Sequence, residues 1–219
     1  MSSSVEVPSP APTTRRGRVL ARRPLMTYRT IDLVTAALLG VGFGVVFWVW
    51  DQVYTVPSAA LSAIFSPLTG LLGGPWLLAG VVGGLMVRRP GAALFTELVA
   101  ASVEALIGSG WGWTTLISGG LQGVGVELVL ALFLWRRFGA GVAMLAGLAP
   151  AVFEVVGYEW WSYYADYAWS WKLVYLTTFA VSGAVIAGLG GLLIVRGLAR
   201  AGAVNAMPPG QEELERTAR

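Results

Sequence analysis

The chain has 219 residues, 56% of them hydrophobic and 12% charged, with 29 Gly, 10 Trp, no His, no Cys and a formal net charge of +3. Soluble domains carry about twice that share of charge. Without His or Cys there is no thiol nucleophile, no Ser-His triad, no imidazole ligand for zinc or haem and no disulfide framework. The only lysine, Lys172, lies outside any G-x-x-x-x-G-K-[ST] context, so the chain carries no P-loop.

Residues 1–29 read as a basic, disordered tail, rich in Ser, Pro and Thr and bearing Arg15, Arg16, Arg18, Arg22, Arg23 and Arg29. The apolar stretch Ile31–Trp50 follows, long enough to cross a bilayer and too long for a cleaved signal peptide. Pro57–Val87 has no charge in 31 residues. A straight helix of that length would be about 46 Å long against a hydrocarbon core of about 30 Å. It is therefore expected to tilt or break, at Pro67 or Gly73-Gly74-Pro75. Further spans are expected at Gly91–Gly108, Trp113–Trp135, Gly139–Tyr158 and Trp171–Val195, with a disordered polar tail from Ala201.

The spacing thus predicts an all-α membrane bundle of six helices over residues 30–200, the second helix broken. Splitting Pro57–Val87 into two crossings would give seven. Six spans put the N-terminal arginines, Arg88/Arg89, Arg136/Arg137 and Arg196/Arg200 on one face, which the positive-inside rule makes cytoplasmic. Asp51, Glu159 and Asp166 then fall on the opposite, outer face, with Lys172 at a helix edge. Both termini are expected in the cytoplasm.

Three features could carry function. Ala36, Gly40 and Gly44 form a small-residue stripe on the first helix, either for packing inside the bundle or for docking another membrane subunit. Glu97, Glu104, Glu127 and Glu154 fall inside spans, where a carboxylate costs at least about 2.5 kcal/mol. They read either as protonated ties between helices or as partners for a cationic or NH-rich visitor. Gln122 joins Glu104 and Glu154 in the outer half. Trp and Tyr crowd the outer side, in Gly110-Trp111-Gly112-Trp113 and between Tyr158 and Tyr175, either as an interfacial belt or as the wall of a site. Aromatic faces beside carboxylates suit a flat or cationic ligand. Tyr158, four residues after Glu154, is expected on the same helix face.

The stripe, the segment Ser66-Pro67-Leu-Thr69-Gly70, the run Glu97-Leu-Val-Ala-Ala-Ser-Val-Glu104, Gly-Trp-Gly-Trp and the Tyr-Glu-Trp-Trp loop together resemble the substrate-binding S components of energy-coupling-factor (ECF) vitamin transporters, within them the YkoE-like group, over roughly residues 28–200. The resemblance implies capture of a vitamin from outside the cell, then docking on a transmembrane T component driven by two ABC ATPases. It implies that Ala36, Gly40 and Gly44 are the docking surface, and that the ligand is thiamine or its hydroxymethylpyrimidine (HMP) precursor. Glu104, Gln122 and Glu154 would bond the aminopyrimidine and Trp111, Trp113, Tyr158, Trp161 and Tyr164 would stack on the rings, with Glu97 at the pocket floor. The partners are thus the ligand, the T component, the ATPases and the lipid bilayer of a prokaryotic plasma membrane. No catalytic residue, cofactor, metal or nucleic acid is expected. The rival readings are a proton-coupled secondary transporter acting alone and, more remotely, a membrane enzyme using the glutamates as acid–base groups.

Overall fold

The computed structural model describes residues 25–218. The expectation of a disordered tail over residues 1–24 therefore lies outside the described residues. Among them every regular element is helical. Helix α1 is Thr30–Phe65, α2 Leu78–Val87, α3 Ala92–Ile107, α4 Thr115–Leu132, α5 Ala140–Ser162, α6 Trp169–Arg200 and α7 Pro208–Thr217. Four stretches among the described residues are long and apolar enough to cross a membrane: Thr30–Val87, Gly112–Leu132, Ala140–Ser162 and Trp169–Arg200.

The first helix departs from the sequence reading. It does not stop near Trp50 but runs on through Asp51 and Pro57 to Phe65, 36 residues in all. Asp51–Val56 contains no Gly and no turn pattern, and membrane helices tolerate a proline because neighbouring groups satisfy the freed carbonyl. The chain leaves α-geometry only at Ser66–Leu72 and Gly74–Leu77, two 3₁₀ stretches each with a Pro near its start. Helix α6 holds this segment in place. Thr178 Oγ1 donates to the Pro67 carbonyl (2.9 Å), Ser182 Oγ donates to the Leu71 carbonyl (2.6 Å) and the Gly74 N–H donates to Ser182 Oγ (3.0 Å).

The stripe on α1 faces inward. A methyl at Gly40 would lie 2.7 Å from Val99 and 2.8 Å from the Thr96 carbonyl, and one at Gly44 would lie 2.6 Å from the Ala100 carbonyl. Ala36, Gly40 and Gly44 are all buried. The expectation that they form the docking surface is corrected here: α3 occupies that face, because only small residues admit its backbone so closely. Phe47 and Asp51 continue the same buried register.

Helices α5 and α6 each contain a π-helical stretch, Val155–Glu159 and Gly183–Gly190. Beyond Arg200, where a disordered tail was expected, the chain turns and forms α7. Met207 is buried, the Arg29 guanidinium donates to the Ala206 carbonyl (3.0 Å), and Arg88 grips both carboxylate oxygens of Glu212 at 2.5 and 2.9 Å. Polar composition alone misses such a segment, because one buried methionine and two guanidinium contacts hold it.

Candidate functional site

Near the ends of the helices opposite Arg88 and Arg200, α1, α3, α4, α5, α6 and the 3₁₀ segment enclose a cavity of about 700 Å³, open to the exterior. Small-molecule sites commonly span about 300–1,000 Å³.

Its polar floor comes from three helices. Glu97 on α3 is 1% exposed and accepts the Gly80 N–H through Oε2 at 2.5 Å, while its Oε1 has no partner among the described residues. Gln122 on α4 donates its amide to Glu154 Oε2 on α5, and both side chains are buried. Glu159, also buried, lines the cavity with Oε2 unpartnered among the described residues. A buried carboxyl oxygen without a donor is costly unless something else supplies one.

Two aromatic walls face this floor. On one side Tyr54, Trp76 and Trp111 form a triangle with ring centroids 5.1, 5.4 and 5.8 Å apart, each pair edge to face. Such pairs contribute about 0.5–1.5 kcal/mol each beyond area burial, so the wall is stiff before any ligand arrives. On the other side Tyr164 lies against Tyr175 at 4.4 Å, with Tyr163 and Phe179 beside them. Burial pushes the Tyr163 phenol up to about 12, so it meets the cavity as a neutral hydroxyl.

Asp51 anchors the first wall from behind. Its Oδ1 accepts the Trp76 indole N–H at 3.0 Å and its Oδ2 accepts the Ser109 hydroxyl at 2.8 Å. The same hydroxyl lies 3.1 Å from Glu104 Oε1, and Ser109 Oγ accepts the Trp111 N–H at 3.3 Å. One aspartate thus ties together a wall tryptophan and the loop that carries Trp111 and reaches Glu104.

Of the residues expected at the site, the cavity gathers Glu97, Glu104, Trp111, Gln122, Glu154 and Tyr164. Three others do not line it. Trp113 is 64% exposed, on the far side of the Gly112 turn from Trp111. Trp161 is 60% exposed, and its indole N–H donates to the Val156 carbonyl at 2.8 Å while its ring faces Lys172 Nζ at 5.3 Å. Tyr158 packs edge-on against Tyr163 at 5.5 Å.

The π-stretch explains the exchange of Tyr158 for Glu159. Bonding from i to i+5 brings the fifth residue after Glu154, not the fourth, back over its face. Asp51, Tyr54, Trp76, Glu159, Tyr163 and Tyr175 were missed as site residues. Asp51 had a signal, lying seven residues beyond Gly44 on one face. Glu127 stays outside the cavity and accepts the Ala93 N–H at 2.7 Å, tying α4 to the start of α3.

Comparison with known proteins agrees with this geometry. The family described as "ABC-type cobalt transport system, permease component" matches residues 31–153. The protein YkoE of Bacillus subtilis (strain 168), named as a candidate HMP/thiamine permease, is 31% identical over 189 residues, covering 86% of this chain and 93% of YkoE. A crystal structure of an S component of an ECF transporter superposes with a TM-score of 0.81 at 30% identity, covering 88% of this chain and 96% of that one. An aromatic cavity floored by carboxyl groups, within an all-helical membrane fold shared with these proteins, identifies the chain as a transport component and not an enzyme: it belongs to the S components of ECF transporters, in the YkoE-like group.

Proposed function

We propose that the chain captures thiamine or its HMP precursor in this cavity and passes it to a T component driven by two ABC ATPases. The observation that carries the reading is the pair of buried, unpartnered carboxyl oxygens, Glu97 Oε1 and Glu159 Oε2, facing a cavity walled by aromatic rings. An aminopyrimidine supplies N–H donors for such oxygens and a flat ring for the walls, and a thiazolium adds a charge that rings and carboxylates stabilise. Gln122–Glu154 offers both a donor and acceptors to ring nitrogens and the exocyclic amine. Glu104, joined through Ser109 to Asp51, is the second acidic group beside Trp111.

The cobalt in the matched family's description is a weaker fit to this chain. The sequence has no His or Cys, and no cluster of three metal-capable side chains occurs among the described residues.

The proposed topology has six crossings. Thr30–Val87 turns back at the 3₁₀ segment to cross twice, and Ala92–Ile107, at about 24 Å, crosses with Gly91 and Gly108 at its ends. Both termini then lie in the cytoplasm of a prokaryotic cell and the cavity opens outward. With the α1 stripe covered by α3, docking falls to other lipid-facing surfaces.

The test is tryptophan fluorescence of the purified protein titrated with HMP and with thiamine. Saturable quenching at micromolar ligand is expected from at least one, and no saturable change with either would overturn the substrate assignment. Proton-driven uptake into proteoliposomes holding this chain alone would instead favour a secondary transporter.

A further inference from the structure

At the end of the bundle away from the cavity, α2, α6, α7 and the loop after α4 surround an open cleft of about 930 Å³. Four arginines line it: Arg88, Arg196, Arg200 and Arg216. Two are already neutralised, Arg88 by Glu212 and Arg216 by Glu213, each at 2.5 Å. Arg196 and Arg200 have no ion pair or hydrogen bond among the described residues, although both line the same cleft. They sit four apart on α6, where like charges destabilise a helix. The cleft therefore holds a surplus of two positive charges with nothing in the fold to balance them. Its remaining wall is apolar, including Leu85, Phe138, Leu192 and Val195. That wall is continuous through Leu193 and Ile194 with the exposed apolar flank of α6.

A guanidinium pair above an apolar wall at the end of a membrane helix matches one chemistry. We propose that this cleft seats the headgroup of an anionic phospholipid, Arg196 and Arg200 gripping its phosphate while Leu192 and Val195 underlie its glycerol and upper acyl chain. A soluble phosphate ester would satisfy the arginines but leave the apolar wall wet, whereas a lipid covers both. The ion pair Arg88–Glu212 keeps α7 in place as the outer wall of the cleft. The inference is independent of what the cavity binds, since no residue is shared between the two.

The experiment is native mass spectrometry and thermal unfolding of the full chain in detergent, titrated with phosphatidylglycerol, phosphatidylethanolamine or inorganic phosphate. Phosphatidylglycerol is expected to bind about tenfold more tightly than phosphatidylethanolamine, the scale set by two arginines at an anionic surface. The double variant R196Q/R200Q should lose that preference. R136Q/R137Q, which removes the same charge from exposed arginines of the α4–α5 loop outside the cleft, should keep it. Each variant is first checked for a monodisperse elution profile and wild-type helical content, and R200Q alone, expected to show a partial loss, serves if the double variant does not fold. Equal binding of both lipids, or equal loss in both double variants, would overturn the proposal. Stabilisation by phosphate matching that by phosphatidylglycerol would replace the lipid by a soluble phosphate ester.

Discussion

The two ends of this bundle handle charge in opposite ways. At the cavity end, Asp51, Glu97, Glu104, Glu154 and Glu159 are all buried, and their hydrogen-bond donors are neutral: an amide, an indole, a hydroxyl and a backbone N–H. At the arginine end, Glu212 and Glu213 are paired with guanidinium groups near the surface. The difference has an energetic meaning. Exposed ion pairs contribute about 0–1 kcal/mol, whereas a buried polar group left without its partner costs about 1–3 kcal/mol. The cavity end is therefore the fragile one, and its acidic groups are arranged to receive donors that the protein itself withholds.

The sharpest way to break this contrast is to move the helix that carries Asp51. Gly40→Leu forces a side chain into the Thr96 carbonyl and Val99, and overpacking of this kind costs about 3 kcal/mol. Thermal unfolding should show the loss, and ligand binding and uptake should fall together. Retained binding with lost uptake would show that Gly40 is a docking residue after all. A smaller effect is expected from Asp51→Ala, which leaves the Trp76 indole and the Ser109 hydroxyl without their acceptor. A loss of about 1–3 kcal/mol in stability is expected, with weaker ligand affinity because the first aromatic wall loses its anchor. The smallest effect belongs to the other end: Glu212→Ala should cost less than about 1 kcal/mol and leave ligand affinity unchanged, as read by the same titrations.

How much of this was legible in the sequence differs by residue. Periodicity and charge located the helices well where loops carry Gly or Arg, as at Gly91, Gly108 and Gly139. It failed at Asp51–Val56, where a charge was taken for the end of a span although nothing there can turn the chain. Glu97, Glu104, Gln122 and Glu154 were found because buried polar groups are expensive and so stand out. Glu159 and Tyr158 were exchanged because a π-stretch shifts the register by one residue, and periodicity at 3.6 residues cannot register that shift. Trp111 and Trp113 differ only in which side of the Gly112 turn they occupy, a distinction carried by backbone geometry, with Gly112 at φ +58°. Trp161 was assigned to the ligand, but its ring and that of Trp169 flank Lys172.

The central claim is that ligand enters between the Tyr54–Trp76–Trp111 wall and the glutamate floor. Its most direct test compares ligand-induced fluorescence quenching in Trp111→Phe and Trp113→Phe, using whichever of HMP or thiamine quenches the unmodified protein. Trp111→Phe should lose a large part of the quenching amplitude and weaken binding about tenfold, the scale of one aromatic stacking contact. Trp113→Phe should match the unmodified protein in both. Equal behaviour of the two variants, or quenching carried by Trp113, would contradict the account.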